Sequence, residues 1–389
     1  MFKRADRLQL LGSAVFSEMD ELRKKKESEG INAINLSIGS PDLAPAEHIR
    51  LVFKEEVLNP DNYRYTLASE FVEIKEAIAN WYNKRFQVSL DPVTEVLPVM
   101  GSQDGLTHLG LAFLNPGDLA LAPDPGYPAY TTSAVLAGAT RYPVPLLQKN
   151  SYLPDYSSIP FEVAQKAKIL FLNYPSNPLA AVANLEFFQE TVDFAKRFRI
   201  IVCHDLAYSE LAYDGYKPPS ILQVPGAKEI AVEFHSFSKT FSMAGSRLGF
   251  IVGNNQVISA LADIKSNIDF GIFKPILKAG IAALTGPDDW IKTNAAIYKK
   301  RADILVDGFG RLGWKIEKPK ASMFLWAPLL KGHWSSREFS FELAERTGVI
   351  VTPGIGFGAH GEGYIRMALV GSNKQLEAAV ERIGNSFFN

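Results

Sequence analysis

A single lysine lies among hydroxyl groups in the stretch from residue 236 to residue 249, and an arginine follows it. A lysine amine can condense with a carbonyl group, and hydroxyls together with an arginine fork suit a phosphate. The residues concerned are Ser236, Ser238, Lys239 and Arg247. A solvated lysine in a polar loop would show the same residue types, so the flanking sequence has to decide between the two interpretations.

The sequence on both sides of this stretch is apolar. Residues 229–234 and 248–253 predict two strands, which places Lys239 on a turn between two elements of the core. A lysine in that position, next to hydroxyls and an arginine, fits covalent binding of pyridoxal phosphate better than it fits a solvated loop.

A second phosphate signal follows a predicted strand at residues 96–100. Gly101, Ser102 and Gln103 form a turn there, and the apolar spacing after them predicts a helix. The free N–H groups and the dipole at the N-terminus of a helix favour an anion. We therefore expect these three residues to bind the phosphate of the cofactor.

Polar residues also follow two predicted buried strands, at residues 168–173 and 200–204. Asp205 comes directly after the second strand, at the edge where open α/β sheets bind ligands. Its carboxylate can pair with a protonated pyridine nitrogen and so keep the ring an electron sink, although a helix N-cap would have the same sequence context. Asn177 follows the first strand and can donate to the phenolic oxygen of the ring.

These motifs resemble those of the class I/II aminotransferases, which are fold-type I pyridoxal-phosphate enzymes, and the resemblance extends over nearly the whole chain. Within the class, the likeness is strongest to LL-diaminopimelate aminotransferases and their relatives. The resemblance implies that Lys239 binds the cofactor covalently, that Tyr127 stacks on its ring and that Tyr208 hydrogen-bonds its phenolic oxygen. On local sequence alone, a turn tyrosine packed on the surface fits Tyr127 equally well.

The resemblance also implies contacts with the substrate and with a second subunit. The backbone of Gly39 would lie against the substrate, Arg366 would clamp its α-carboxylate bidentately, and Asn267 is a candidate substrate contact. Tyr65 matches a tyrosine that reaches the cofactor phosphate of the neighbouring subunit, which implies a homodimer with sites at the interface. Without the resemblance, Gly39 is a turn residue, Tyr65 a packed loop tyrosine and Arg366 a surface arginine on a strand.

Four positions depart from the family pattern. Leu179 and Ala180 stand where the family usually has threonine and glycine. Ser246 stands at a position where tryptophan is common, and Phe270 replaces a small residue. An apolar wall rejects a charged group that it leaves without partners. We therefore predict that the distal substrate pocket is not tuned solely to diaminopimelate.

Strands and helices alternate from about residue 50 to 275, which predicts an α/β fold with a mostly parallel sheet flanked by helices. The mixed pattern after it predicts a smaller α+β domain, which includes a strand at Trp314–Ile316. We assign residues 1–48 to an N-terminal arm and part of the small domain, 49–275 to the large cofactor-binding domain and 276–389 to the small C-terminal domain. The resemblance implies the same architecture, that of fold-type I transferases.

The chain has 389 residues, of which 47% are hydrophobic and 21% charged, and its formal net charge is −1. No basic excess indicates binding to nucleic acid or to an anionic membrane. We expect no signal peptide and no membrane span, because the N-terminal region lacks a long apolar core. The single cysteine, Cys203, excludes an intrachain disulfide and fits a cytoplasmic location. His204 has no second ligand at metal spacing, so we expect no metal.

The residues and the resemblance together predict an aminotransferase that moves an amino group from an L-amino acid to a 2-oxo acid, both small-molecule substrates. The same fold and site also support β-elimination, so a β-lyase is the alternative enzyme. A non-catalytic regulator that binds the cofactor is the alternative outside enzymes, but it would need a DNA-binding extension that this sequence does not show. The amino donor, LL-diaminopimelate or another amino acid, stays open.

Overall fold

Parallel strands with apolar side chains on both faces form the centre of the molecule. The computed structural model describes residues 2–11, 14–269, 271–330, 332 and 334–388. The strands are β1 (Ile34–Asn35), β2 (Val96–Val99), β3 (Leu119–Asp124), β4 (Thr140–Pro145), β5 (Ala167–Asn173), β6 (Ile201–Asp205), β7 (Ala231–Ser236), β8 (Gly249–Gly253), β9 (Phe324–Pro328), β10 (Val349–Ile350), β11 (Thr352–Pro353) and β12 (Tyr364–Ala368).

The α-helices alternate with the strands through much of the chain. They are α1 (Ala14–Ser28), α2 (Glu47–Leu58), α3 (Val72–Phe86), α4 (Ser102–Phe113), α5 (Pro128–Leu136), α6 (Phe161–Lys166), α7 (Leu185–Phe198), α8 (Phe237–Thr240), α9 (Asn255–Ile268), α10 (Lys274–Thr285), α11 (Asp289–Arg311), α12 (Ser336–Thr347) and α13 (Asn373–Phe387). None of the helices described is long and apolar enough to cross a membrane.

Seven strands make the main sheet, in the order β2-β8-β7-β6-β5-β3-β4. All neighbouring strands run parallel except β8, which is antiparallel to both β2 and β7. The predicted α/β fold with a mostly parallel sheet is confirmed. Because the strands run the same way, the carboxyl ends of β5, β6 and β7 meet at one edge of the sheet.

Helices cover both faces of this sheet, which explains the uninterrupted apolar runs in the sequence. In β5, Ile169 and Phe171 pack with side chains of α4, α5 and α9. The alternate residues Leu170 and Leu172 pack on the other face, in the cluster that contains α3 and α7. The alternation of the strand therefore fixes which face each polar residue at its end will occupy.

The C-terminal part of the chain forms two small sheets. Strands β11, β12 and β9 make an antiparallel sheet, and β1 pairs in parallel with β10. Ile34 and Leu36 share their apolar cluster with Val349 and Ile365, so an N-terminal segment packs with the C-terminal part. The domain boundaries themselves stay a prediction.

The strand predicted at Trp314–Ile316 is wrong. These residues form no strand, although Trp314 is only 3% exposed. Its indole Nε1 donates to the carbonyl of Pro328 at 2.8 Å, and its ring packs on Phe309 with centroids 4.9 Å apart. The apolar run therefore anchors a loop to the core.

Close packing of α4 against α5 depends on a glycine. A Cβ atom at Gly110 would lie 2.3 Å from the carbonyl oxygen of Ser133, and Gly110 N donates to Ser133 Oγ at 3.1 Å. We predict that Gly110→Ala lowers the free energy of unfolding by about 1–3 kcal/mol, because overpacking outweighs the better helix propensity of alanine.

Gly310, in α11, is the matched control because a Cβ atom there meets no heavy atom within 4 Å. Gly310→Ala should raise the free energy of unfolding by about 0.5–1 kcal/mol. Urea denaturation of both variants measures the difference, and equal effects of the same sign would contradict the packing argument.

Candidate active site

A cavity of about 600 Å³ opens at the carboxyl ends of β5, β6 and β7. Parts of the chain that are far apart in sequence meet there. It brings together these residues singled out from the sequence: Gly39, Ser102, Gln103, Tyr127, Asn177, Asp205, Tyr208, Ser236, Lys239 and Arg366.

Lys239 lies in the one-turn helix α8, directly after β7. Ser236 caps this helix, since its Oγ accepts from the backbone N–H of Ser238 at 3.3 Å. The Nζ atom donates to the carbonyl of Gly39 at 2.8 Å. Burial and the positive charges of Arg366 and Arg247 lower the pKa of Lys239 to about 8, against a smaller opposite effect of Asp205. A far larger share of this amine than of an exposed lysine is therefore neutral near physiological pH, which favours its action as a nucleophile or a base.

Asp205 ends β6 with 4% of its surface exposed. Tyr130 donates its hydroxyl to Oδ2 at 3.0 Å, and the N–H of Ala207 approaches Oδ1 at 3.3 Å. Burial raises the pKa of Asp205, and these hydrogen bonds oppose the rise. No ion pair joins Asp205 to a lysine or arginine in the described part of the chain, so the site can accommodate a cationic group from a ligand.

The glycine-rich turn after β2 caps the N-terminus of α4. Gly101 has a φ of +86°, which favours glycine, and a Cβ atom there would lie 2.4 Å from Nη2 of Arg247. Arg247 also donates from Nη1 to the carbonyl of Ala244 at 3.0 Å. Tyr127 donates its hydroxyl to Oε1 of Gln103 at 3.0 Å. A cation, a helix N-terminus without a side-chain cap and a close backbone approach thus meet at one place, as an anion site requires.

Arg366 emerges from β12 with 3% of its surface exposed. It donates from Nη1 to Oδ1 of Asn177 at 2.9 Å and from Nη2 to the carbonyl of Ser37 at 2.5 Å. The rings of Phe324 and Phe357 lie 4.4 and 4.7 Å from the guanidinium carbon. Burial lowers the pKa of Arg366 to about 10. All these partners are neutral and Nε has none, so the charge lacks a counterion within the described chain.

Asn177 and Tyr208 lie side by side next to Arg366. Tyr208 is buried and within hydrogen-bonding reach of Asn177, and burial together with the charge of Asp205 raises its pKa. The backbone N–H of Asn177 donates to Oδ1 of Asn173 at 2.6 Å. Two neutral donor groups therefore face the part of the cavity between Asp205 and Arg366.

Other residues singled out from the sequence lie outside this cavity. Asn267 is exposed on α9, and its amide donates to the carbonyl of Asp263 at 2.8 Å. Tyr65 is 76% exposed and does not belong to the lining. Ser238 is buried beside the lining residue Ser236, and Phe270 lies outside the described residues. The chain does not itself bring Asn267 and Tyr65 into the site.

Three of the four residues that depart from the family pattern lie in the described part of the chain, and none of the three lines the cavity. Leu179 is 5% exposed and packs in a small apolar cluster with Trp326 and Phe357. Ala180 has a φ of +54°, a left-handed conformation that suits glycine better. Ser246 lies in a short 3-10 turn before Arg247.

Sequence reasoning missed three residues that shape the site: Tyr130, Asn173 and Phe16. Tyr130 follows Tyr127 at helical spacing, and Asn173 is the last residue of β5. The positions of both residues in the sequence therefore indicated that they could lie at the site. Phe16, in α1, lines the cavity, and its ring centroid lies 5.8 Å from the guanidinium carbon of Arg366. The sequence around Phe16 does not indicate this contact.

Residues 31–383 match the family model of aminotransferase class I and II. The chain belongs to this family. It is 45% identical to the LL-diaminopimelate aminotransferase of Moorella thermoacetica, over 98% of this chain and 97% of that protein. It is 46% identical to the enzyme of the same name from Syntrophobacter fumaroxidans, over 98% of each chain. The solved structure of substrate-bound BacF from Bacillus subtilis superposes over all of both chains with a TM-score of 0.96 at 38% identity.

The chain is thus a pyridoxal-phosphate-dependent aminotransferase, since the enzymes of this family use that cofactor. The cavity fits the cofactor on three structural grounds. The absence of a Cβ atom at Gly101 lets the guanidinium of Arg247 lie against the backbone at the N-terminus of α4. The carboxylate of Asp205 is buried without a cation, and burial and nearby arginines lower the pKa of Lys239 to about 8.

The amine of Lys239 should titrate near pH 8 in the cofactor-free protein. We predict that acylation of Lys239 by acetic anhydride reaches half its maximal rate near this pH, because burial and nearby arginines favour the neutral amine. Exposed lysines titrate near 10.4 in water. Brief labelling at a series of pH values, followed by mass spectrometry of the peptides, measures the titration of Lys239 and that of the exposed lysines.

The variant Arg366→Gln tests whether the positive charge of Arg366 lowers the pKa of Lys239. Removing the positive charge should move the titration of Lys239 to higher pH, towards that of the exposed lysines. A Lys239 that labels together with the exposed lysines in the unsubstituted protein would contradict the account.

Proposed function

We propose that the chain transfers the amino group of an L-amino acid whose α-carboxylate binds Arg366 and whose side chain lies against apolar walls. The observation that carries this proposal is the buried guanidinium of Arg366, which has neutral partners only, in the same cavity as Lys239. A substrate carboxylate supplies the missing counterion through two parallel hydrogen bonds. Every amino acid and 2-oxo acid carries that group next to the reacting carbon.

Residues from several parts of the cavity would hold the cofactor. We assign the phosphate to Gly101, Ser102, Gln103, Ser236, Ser238 and Arg247. Tyr127 would stack on the ring, Asn177 and Tyr208 would hydrogen-bond its phenolic oxygen, and Asp205 would pair with its nitrogen. When bound, pyridoxal phosphate supplies an electron-withdrawing ring that stabilises negative charge at the α-carbon of the donor.

Lys239 has two tasks in this proposal. Its amine holds the cofactor covalently until the donor replaces it, and it then moves a proton from the α-carbon of the donor. A base is efficient when its pKa lies near the working pH, and the pKa of Lys239 is lowered to about 8. Gly39, whose carbonyl accepts from Nζ at 2.8 Å, orients the amine.

The donor side chain meets a wall without charges. Among the described residues that line the cavity, only Asp205, Lys239 and Arg366 are charged, and all three have roles at the reacting end. The rest of the wall is apolar or neutral and includes Leu11, Phe16, Ile38, Pro128 and Thr132. Burying a charged distal group there without partners is unfavourable. We therefore propose that donors with an uncharged or singly charged side chain are accepted.

LL-diaminopimelate is the second candidate donor, on the ground of the relatives that are 45–46% identical and carry that name. A screen of amino acids with 2-oxoglutarate as acceptor decides between the two. We expect glutamate formation with at least one apolar or aromatic donor. Turnover of LL-diaminopimelate alone would overturn the apolar-wall argument, and release of ammonia and pyruvate without amino transfer would indicate β-elimination.

Arg366→Lys should raise KM for every donor and leave cofactor affinity unchanged. A point charge cannot reproduce the two parallel hydrogen bonds of the guanidinium, and a charge-assisted bond of this kind contributes about 1.5–3 kcal/mol, which corresponds to roughly 10–150-fold in KM. Steady-state kinetics and cofactor dialysis measure the two properties. An unchanged KM would remove Arg366 from substrate binding.

We further propose a homodimer whose partner covers the segment around Tyr65. Tyr63, Tyr65 and Leu67 are 66%, 76% and 54% exposed, and Phe273 packs edge-on against Tyr63. Exposed aromatic clusters of this kind are typical of protein interfaces. The position of Tyr65 outside the cavity of its own chain fits a contact with the cofactor phosphate of the other subunit. We also propose a cytoplasmic location, as for an enzyme of amino acid metabolism.

Mixing two inactive or weakened variants tests the dimer. In a heterodimer of Tyr65→Phe and Lys239→Ala subunits, one site keeps both Lys239 and the partner's tyrosine. The mixture should therefore regain activity at limiting cofactor, where each parent is weak or inactive. A fully active monomer in sedimentation experiments, or a mixture no more active than the sum of its parents, would contradict the proposal.

A further inference from the structure

A buried pair of a histidine and a glutamate lies directly behind the candidate site, on the other face of the main sheet. His204 and Glu233 are cross-strand neighbours in β6 and β7, and both are 0% exposed. Because successive residues of a strand point to opposite faces, His204 faces α3 and α7 while Asp205 faces Tyr130 on α5. The mechanism proposed above does not use either residue.

Both ring nitrogens of His204 face acceptors. Nδ1 lies 2.8 Å from Oε2 of Glu233, and Nε2 lies 3.1 Å from the backbone carbonyl of Tyr174. A neutral imidazole carries only one N–H and can satisfy only one of these contacts. Both are satisfied when the ring is an imidazolium with a proton on each nitrogen.

Glu233 is surrounded by donors. Its Oε2 also accepts from the N–H of Ile221 at 3.0 Å, and its Oε1 accepts from the hydroxyl of Tyr82 and faces Nε2 of His235 at 3.4 Å. Burial alone would raise the pKa of Glu233, but the hydrogen bonds and charges of His204 and His235 outweigh it and hold the pKa well below its usual range. The group is therefore a carboxylate, the partner that an imidazolium needs.

His204 connects the three strands that carry the site. Its own strand ends at Asp205, its Nδ1 contact is to β7, which leads to Ser236 and Lys239, and its Nε2 contact is to the turn after β5, which leads to Asn177. A buried charged group with two hydrogen bonds fixes the relative position of the strands it joins. No other described side chain of these three segments makes hydrogen bonds to both of the other two.

We propose that His204, doubly protonated and paired with Glu233, is a positioning residue that sets the spacing of Asp205, Lys239 and Asn177 for cofactor binding. The proposal rests on the cofactor roles assigned above. The positive charge of His204, which is the residue next to Asp205, also favours the ionised form of the Asp205 carboxyl group, as does that of His235.

Neutron diffraction of the deuterated holoenzyme at pD 8 tests the protonation state directly. A histidine in water is mostly neutral there. We expect deuterium on both ring nitrogens of His204. Deuterium on one nitrogen only would overturn the doubly protonated clamp, whatever the function of the enzyme.

Equilibrium dialysis of pyridoxal phosphate against cofactor-free variants tests the positioning role. His204→Gln and Glu233→Gln should each weaken binding by about 10–100-fold, the range seen when an outer partner of a binding residue is lost at metal sites. The double variant should lose no more than either single variant, because the two residues act as one unit. It also removes the unpaired buried carboxylate, so it is the variant to use where His204→Gln fails to fold.

Two controls separate the possible causes. Tyr156→Phe removes a partly buried hydrogen bond on the same face of the sheet, to Thr191 at 2.7 Å, and should lower the melting temperature without changing cofactor affinity. Asp205→Asn tests the assigned cofactor role by itself. The positioning role would be overturned if the losses of cofactor affinity in the two single variants added up in the double variant. It would also be overturned by a His204→Gln variant that binds the cofactor as well as Tyr156→Phe does.

Discussion

The guanidinium of Arg366 keeps its positive charge in the interior without a carboxylate beside it. Removing a charge from water costs several kcal/mol even after the protein relaxes, unless partners compensate. The amide oxygen of Asn177 and the carbonyl of Ser37 supply part of that compensation. The faces of Phe324 and Phe357, at 4.4 and 4.7 Å, supply about 0.5–2 kcal/mol each. The remainder is what a substrate carboxylate can provide on binding.

The same charge acts on the rest of the cavity. After burial, Arg366 is the largest influence that lowers the pKa of Lys239, and it opposes the rise in the pKa of Tyr208. A donor carboxylate bound to Arg366 would cancel part of its field at Lys239 and so raise the basicity of the amine when a substrate is present. In the proposed mechanism, substrate binding and proton transfer are thereby linked through one buried cation.

The sequence predicted the parts of the site that lie at the ends of buried strands. Lys239, Asp205 and Asn177 follow apolar runs, and such runs are the strongest signal of a parallel sheet. The hydrogen bond from Tyr130 to Asp205 and the ring of Phe16 near Arg366 depend on how α5 and α1 pack. No local pattern encodes such packing, because it joins residues that are far apart in the chain.

The wrong strand prediction has the same origin. Residues 314–316 looked like a strand, but tertiary packing used Trp314 to anchor a loop through its hydrogen bond to Pro328. The substrate contact of Asn267 rests on the resemblance alone and stays a prediction, and in this structure its amide donates to Asp263. Propensity and spacing indicate which elements form, whereas the direction in which each side chain points at the end of an element is decided by its neighbours.

The proposed function requires that Lys239 carries the cofactor. Borohydride reduction of the holoenzyme followed by peptide mapping tests this attachment. We expect the reduced cofactor to be attached to Lys239, and we expect the Lys239→Ala variant to show no adduct and no transamination. A stable adduct on another lysine of the active enzyme would contradict it.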